Sequence, residues 1–277
     1  MPQINTIDLV RSADQNRRGI GAFNVVHLET AEAIAQAAET TGLPVIMQLS
    51  HNCINFHGNL TPLGQAMIDI AQLSTANIAV HLDHCESVDL ACQAIDLGFN
   101  SVMYDGSTLP YEENLAATVK VVEYAHRNGA SVEAELGEIG GKKGAHTPGV
   151  RTDPTEAHEF VQATGVDTLA VAVGSEHAMT ERTARLDHEL ITQLRESTGV
   201  PLVLHGSSGV SDEQILQGIR SGMTKINVST HLNSFFTEAI AQYLHQNPTV
   251  VDSRKYLGAA REALSAEAAR LLSVFAG

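Results

Sequence analysis

The sequence predicts a single closed (β/α)8 barrel spanning residues 1–277, and three observations carry that expectation. Eight short apolar segments of β-forming type recur along the chain. Polar or glycine residues follow each one, and then a stretch with apolar residues at three-and-four spacing. The 277-residue length suits a barrel of roughly 250 residues, and no composition break reads as a linker. Strict alternation of strand and helix calls for a parallel sheet, and about eight units is the count at which such a sheet closes on itself.

Taken in order, the strand segments are 21–26, 43–49, 78–82, 101–104, 131–136, 168–173, 201–204 and 225–228. Capped helical patterns lie between them, at 29–41, 112–128, 187–198 and 211–221. The third strand is the most informative. Its apolar run Asn77-Ile78-Ala79-Val80 turns polar abruptly at His81-Leu82-Asp83-His84-Cys85, and Glu86-Ser87 is a helix start. A long irregular connection covers about 137–153, with Gly140-Gly141-Lys142-Lys143-Gly144 and Thr147-Pro148-Gly149. Loops of that length inside a compact domain are usually lids, and a lid is expected here. Residues 254–275 form an alanine-rich amphipathic helix, available to cover the barrel or a neighbouring subunit.

Composition narrows the partners. Hydrophobic residues make up 43% and charged residues 18%, enough apolar mass for a large core. The formal charge of −15 argues against nucleic acid and anionic membranes. A small phosphorylated substrate stays open, because backbone amides at helix N-termini bind phosphate whatever the net charge. Cys53, Cys85 and Cys92 lack metal-knuckle spacing and read as reduced thiols; Cys85 reads as a buried filler. Residues 1–5 show no basic region followed by an apolar run, so a signal peptide is not expected, and no segment reaches the ~20 apolar residues needed to span a bilayer. A cytoplasmic location is expected.

In barrels of this kind chemistry sits at the carboxyl ends of the strands. Asn24, Ser50, Asp83, His84, Asp105, Ser107, Glu133, Glu135, His177, His205, Asn227 and Ser229 all fall there. Of thirteen histidines only His81, His84, His177 and His205 occupy such positions. Period-two alternation puts His81 and Asp83 on one face, with His84 just past the strand end and freer to turn toward a metal. Three imidazoles with an open fourth position is what a catalytic divalent ion needs, so His84, His177 and His205 are the candidate ligands and Asp83 the candidate acid/base. Two loops suit phosphate: Leu204-His205-Gly206-Ser207-Ser208-Gly209 and Ile226-Asn227-Val228-Ser229-Thr230, after strands seven and eight. On spacing alone either is equally a plain helix cap.

These residues resemble a known family, the class II, metal-dependent ketose-bisphosphate aldolases, represented by fructose- and tagatose-1,6-bisphosphate aldolases. The resemblance runs nearly the whole chain. It rests on Ala22-Phe23-Asn24, His81-Leu82-Asp83-His84, Asp105-Gly106-Ser107, Val132-Glu133-Ala134-Glu135-Leu136-Gly137, Ala170-Val171-Ala172-Val173-Gly174 with His177, Leu204-His205-Gly206-Ser207-Ser208, and Lys225-Ile226-Asn227-Val228-Ser229-Thr230. It implies that Asp83 is the acid/base and that His84, His177 and His205 hold Zn2+ or another divalent cation. Asp105 and Glu135 would take the metal in an alternative or second position, and a monovalent cation is a further candidate cofactor. The resemblance also implies a dihydroxyacetone-phosphate pocket of Gly206, Ser207, Ser208, Asn227, Ser229 and Thr230. Asn24 and Ser50 would lie near the aldehyde half, and Arg254 would reach the second phosphate. A homodimer or homotetramer is expected.

The chain departs from the family pattern at Lys142-Lys143, where a lid glutamate usually follows the glycine pair, at Ala178, where glycine is common, and at Ser253, where proline is common. The implied reaction is reversible cleavage of a ketose 1,6-bisphosphate to dihydroxyacetone phosphate and an aldehyde such as glyceraldehyde 3-phosphate. Alternatives are a family member acting on another ketose phosphate, a metal-dependent hydrolase on the same barrel, and a scaffold that lost activity. A Schiff-base aldolase needs a lysine at a strand tip, and Lys225 is expected to begin its strand at the opposite end.

Overall fold

The computed structural model describes residues 4–136, 151–176, 179 and 181–277. Eight strands close into a parallel barrel in chain order: β1 (Ile20–Asn24), β2 (Val45–Ser50), β3 (Ile78–Cys85), β4 (Ser101–Tyr104), β5 (Ser131–Glu135), β6 (Thr168–Ala170), β7 (Leu202–Leu204) and β8 (Met223–Val228). β1 pairs with both β2 and β8, which completes the ring and leaves no sheet edge. Outside it run α2 (Leu28–Thr41), α3 (His51–His57), α4 (Thr61–Leu73), α5 (Val88–Leu97), α6 (Tyr111–Arg127), α7 (Pro154–Thr164), α8 (His188–Thr198), α9 (Asp212–Ser221), α10 (Thr230–Gln246) and α11 (Ser253–Ala276). The barrel expected from strand–helix alternation is the fold of this chain.

The barrel interior is graded from apolar to polar. At its amino end Ile20, Ala22, Ile46 and Ala79 pack with Leu9 and Val10 of α1 (Thr6–Gln15), a helix ahead of the first strand that plugs the bottom. Strand–helix alternation does not predict this helix; Asn5 caps it, and Asn100 accepts from Thr6 Oγ1 at 2.7 Å, which anchors its start. One inward position higher the side chains turn polar: Gln48, His81, Glu133 and Lys225 are all buried. Above them stand Asn24, Ser50, Asp83, Asp105, Glu135, His205 and Asn227. The period-two pleat that fills the bottom with aliphatic residues therefore places polar side chains in the middle and at the carboxyl end of the barrel.

Three boundaries differ from expectation in ways that matter. β3 runs on to Cys85, so His84 lies within the strand; its pairing with β4 slips between Leu82 and Cys85, and His84 takes φ 48. β6 ends at Ala170, because residues 171–173 leave the ladder while staying buried. β8 starts at Met223, so Lys225 stands within the barrel and not at its lower rim.

The carboxyl-terminal helix covers the barrel. Leu264, Ala268, Leu271, Leu272 and Phe275 of α11 are buried, the ring of Phe275 meets Phe23 edge-on at 6.4 Å, and Gly19 N–H donates to Phe275 O at 2.8 Å. Glu267 on the same helix accepts from His231 at 2.6 Å and Arg270 at 2.7 Å, and Arg270 continues to Asp212 at 2.5 Å. Burial alone would raise the Glu267 carboxyl; hydrogen bonds from Arg270 and His231 outweigh it and hold the group below the ordinary carboxylate range. Among the described residues no helix is long and apolar enough to cross a membrane.

Candidate active site

A cleft of about 550 Å3 opens at the carboxyl rim, and its floor is built from strand-end residues. Asp83 is buried there, accepting from Asn24 Nδ2 at 2.9 Å on Oδ2 and from Asn227 Nδ2 at 3.4 Å on Oδ1. Gln48 Nε2 in turn donates to Asn24 Oδ1 at 2.8 Å, which fixes the amide so that its NH2 faces the carboxylate. Burial opposes a charge on Asp83, but His84, His205 and Lys225 nearby, with the Asn24 hydrogen bond, hold its carboxyl below the ordinary range. That direction favours the carboxylate, the form that accepts a proton.

His84 is brought to the same floor by strand irregularity. A non-glycine residue in the left-handed region costs energy and persists only where the surroundings over-determine it. Here the slip in register turns the imidazole inward beside Asp83 instead of outward, as simple alternation would require. Its Nδ1 lies 2.8 Å from Asp105 Oδ2 and 4.0 Å from Glu135 Oε2, and Ser107 Oγ steadies Asp105 with a 2.6 Å bond to Oδ1. His205, fully buried at the top of β7, sends Nε2 to Glu133 Oε1 at 3.0 Å.

The inner nitrogens, His84 Nε2 and His205 Nδ1, then face each other at 2.9 Å. Two imidazole nitrogens do not approach this closely without a hydrogen or a cation between them. Asp83, His84 and His205 offer ligand atoms all within 4.8 Å of one another, and so do His84, Asp105 and Glu135. Nitrogen and carboxylate donors gathered in two groups that share His84, one at its Nε2 and one at its Nδ1, suit a divalent ion such as Zn2+. The residues present fit a metal.

Opposite this floor stands the wall formed by the loops after β7 and β8. Gly206, Ser207, Ser208, Asn227, Ser229 and Thr230 all line the cleft. Ser211 caps α9 by accepting from Gln214 N–H, so the 206–209 turn is not that helix's cap. Ser208 Oγ accepts from His231 N–H at 3.1 Å, and Ser207 Oγ donates to Asn227 O, which lashes the two loops together. Gly206 adopts φ 67, and a Cβ there would stand 2.6 Å from the Glu176 backbone. Gly206→Ala is expected to destabilise the fold by about 1–3 kcal/mol and to raise KM for a phosphorylated substrate; a thermal melt beside a kinetic titration checks both.

Not every expected residue is gathered here. His177 lies outside the described residues, as do 137–150 of the expected lid, including Lys142 and Lys143, and Ala178. Arg254 is exposed at the start of α11, paired with Asp252 at 2.9 Å, and does not line the cleft. Ser50 lines it but also caps α3, accepting from Cys53 N–H at 3.1 Å. Burial pushes the Cys85 thiol up to about 11, which suits the filler role and not a nucleophile. Gln48, His51, Asn52, Asn55, Glu86 and Thr108, which are not among the residues expected at the site, also line the cleft. Gln48 carried a usable signal, since a lone amide in Val45-Ile46-Met47-Gln48-Leu49 sits two positions from Ser50 on the inward face.

A parallel barrel with a buried carboxylate and paired imidazoles at its carboxyl rim describes a metal-dependent barrel enzyme. The family model for class-II fructose-bisphosphate aldolase matches residues 4–277, and the chain belongs to that family of metal-dependent lyases. It is 38% identical over 270 residues to a fructose-bisphosphate aldolase from Geobacillus stearothermophilus, covering 96% of this chain and 94% of that protein. A fructose-bisphosphate aldolase from Staphylococcus aureus is 38% identical over 269 residues, 95% of this chain and 94% of the other. The crystal structure of the YdjI aldolase from Escherichia coli K12 superposes with a TM-score of 0.83 at 30% identity, covering 99% of this chain and 97% of that one.

Proposed function

We propose that this protein catalyses reversible aldol cleavage of a ketose 1,6-bisphosphate, fructose or tagatose bisphosphate, to dihydroxyacetone phosphate and glyceraldehyde 3-phosphate. The observation that carries the reading is the meeting of Asp83 with His84 and His205 on the floor of a cleft walled by the loops after β7 and β8. Family membership supports the same reaction over hydrolysis.

The chemistry follows from the parts. Asp83 takes the C4 hydroxyl proton, the C3–C4 bond breaks to release the aldehyde, and its electron pair stays on C3 as the enediolate, which takes up a proton from solvent to give dihydroxyacetone phosphate. Asn24 and Gln48 keep the carboxylate oriented for that transfer. Asn227 lies beside the enediolate, while the Gly206–Ser208 turn and the first turn of α10 bind phosphate through N–H groups and hydroxyls. A divalent ion held by His84, His205 and His177 supplies, when bound, Lewis-acid stabilisation for the electron pair released. Asp105 and Glu135 serve as its alternative ligands, and Zn2+ is the ion proposed.

The location proposed is the cytosol and the state a homo-oligomer. The −15 charge supports neither nucleic-acid nor membrane partners, and exposed Phe56 and Leu73 are apolar surface for another subunit. Incubation with fructose and tagatose bisphosphates, with and without chelator, tests the reaction. Triose phosphate release that stops on chelation and returns with Zn2+ is the expected result. Failure to cleave either substrate with Zn2+ bound would overturn the assignment.

A further inference from the structure

Beneath the metal site lies a charged pair that the reaction does not use. Lys225 and Glu133 are each about 1% exposed, and Lys225 Nζ stands 2.9 Å from Glu133 Oε2 in the middle of the barrel. Burying two ions is costly unless geometry and further hydrogen bonds compensate, so a packing role alone is better served by aliphatic residues, as at the barrel's lower end. The pair is not a Schiff-base apparatus. Lys225 sits one inward position below Asn227, salt-bridged, and it does not line the cleft.

The other oxygen of that carboxylate explains the placement. Glu133 Oε1 lies 3.0 Å from His205 Nε2. With Lys225 Nζ at its other oxygen, the Glu133 carboxylate is placed to accept at Oε1, and the 3.0 Å contact assigns the hydrogen to the ring, as the Nε2–H tautomer of His205. Asn227 Nδ2, 3.2 Å from the same nitrogen, then directs its hydrogens elsewhere, toward Asp83 Oδ1. With Nε2 protonated, Nδ1 carries the lone pair, and it is Nδ1 that points at His84 Nε2. His81 completes the surroundings: its Nδ1 meets Ser101 Oγ at 2.8 Å and its Nε2 lies 3.9 Å from Glu133 Oε2.

We infer that Lys225 and Glu133 are positioning residues: Lys225 anchors the Glu133 carboxylate, which locks His205 in the Nε2–H tautomer with Nδ1 presented to the metal. The inference rests on the proposed role of His205 as a metal ligand and adds a device that the ligand set alone does not contain. Partners of this kind behind a ligating histidine typically contribute about 10–100-fold in metal affinity.

Removing one partner leaves an uncompensated buried charge and threatens the fold, so the test replaces both. Glu133→Leu combined with Lys225→Met keeps apolar bulk; Glu133→Gln combined with Lys225→Met keeps an oxygen that accepts from Nε2–H. The dissociation constant for Zn2+ is measured by competition with a chelating dye, and the His205 tautomer by imidazole 15N shifts in the metal-free protein. The leucine pair is expected to bind Zn2+ about 10–100-fold more weakly and to show mixed tautomers, with both properties largely restored in the glutamine pair. Wild-type affinity and a single tautomer in the leucine pair would overturn the inference while leaving the aldolase reading intact. Equal weakening in both pairs with the tautomer unchanged would reduce Glu133 to packing and overturn it as well. Failure of the wild-type protein to bind Zn2+ would overturn both.

Discussion

Asp83→Ala is expected to lower kcat by about 10²- to 10⁴-fold while the protein keeps its Zn2+. The size is that of a positioned general base, and the retained metal is the discriminating half of the prediction. Asp83 lies close enough to His84 and His205 to be counted as a third ligand by distance alone. Its hydrogen bonds argue otherwise: one oxygen accepts from Asn24 and the other from Asn227, so the carboxylate is held by amides and presented to the cleft. A ligand lost to alanine would take metal affinity with it. A base lost to alanine removes proton transfer and leaves the ion in place. Metal analysis of the purified variant beside a single-turnover cleavage assay separates the two, and a variant depleted of Zn2+ would move Asp83 into the ligand set.

The sequence made much of this legible because a barrel writes its architecture locally. Each βα unit carries an apolar run, a polar strand end and an amphipathic helix, and the eightfold repetition leaves few alternatives. Polar residues that close an apolar run mark the carboxyl ends of the strands, which is why Asn24, Ser50, Asp83, Glu135, His205 and Asn227 are legible from position alone. Departures from regular pleating were less readable. His84 faces the site through a register slip and a left-handed backbone, neither of which has a local signature in His81-Leu82-Asp83-His84-Cys85. Lys225 was misplaced because β8 begins two residues before it, at Met223, after a shift in pairing with β7. Helix α1 escaped because its purpose, plugging the barrel with Leu9 and Val10, appears only once the ring is closed. Gln48 is a polar residue inside an apolar run, and its role is defined by Asn24 on the neighbouring strand. Pairings across the barrel are tertiary facts, and a linear pattern does not contain them.

His205→Ala is expected to abolish both stable Zn2+ binding and turnover. His205 supplies one of the two inner nitrogens that meet at 2.9 Å, and its removal opens the floor where the donors converge. Losing the charge stabilisation that the ion provides costs at least about 2.7–4 kcal/mol of transition-state binding, about 10²- to 10³-fold in kcat. The fold should survive, since Lys225 Nζ stays 2.9 Å from Glu133 Oε2 and the cavity borders a water-accessible cleft. A melting curve near that of the wild type would establish this. The comparison with Asp83→Ala then decides the roles, because both side chains touch Asn227 and lie within one cluster, yet only the imidazole variant should lose metal. Comparable Zn2+ content in the two variants would mean that His205 is not a principal ligand, and the charge stabilisation assigned to the ion would then have to come from His84 with the carboxylates Asp105 and Glu135 alone.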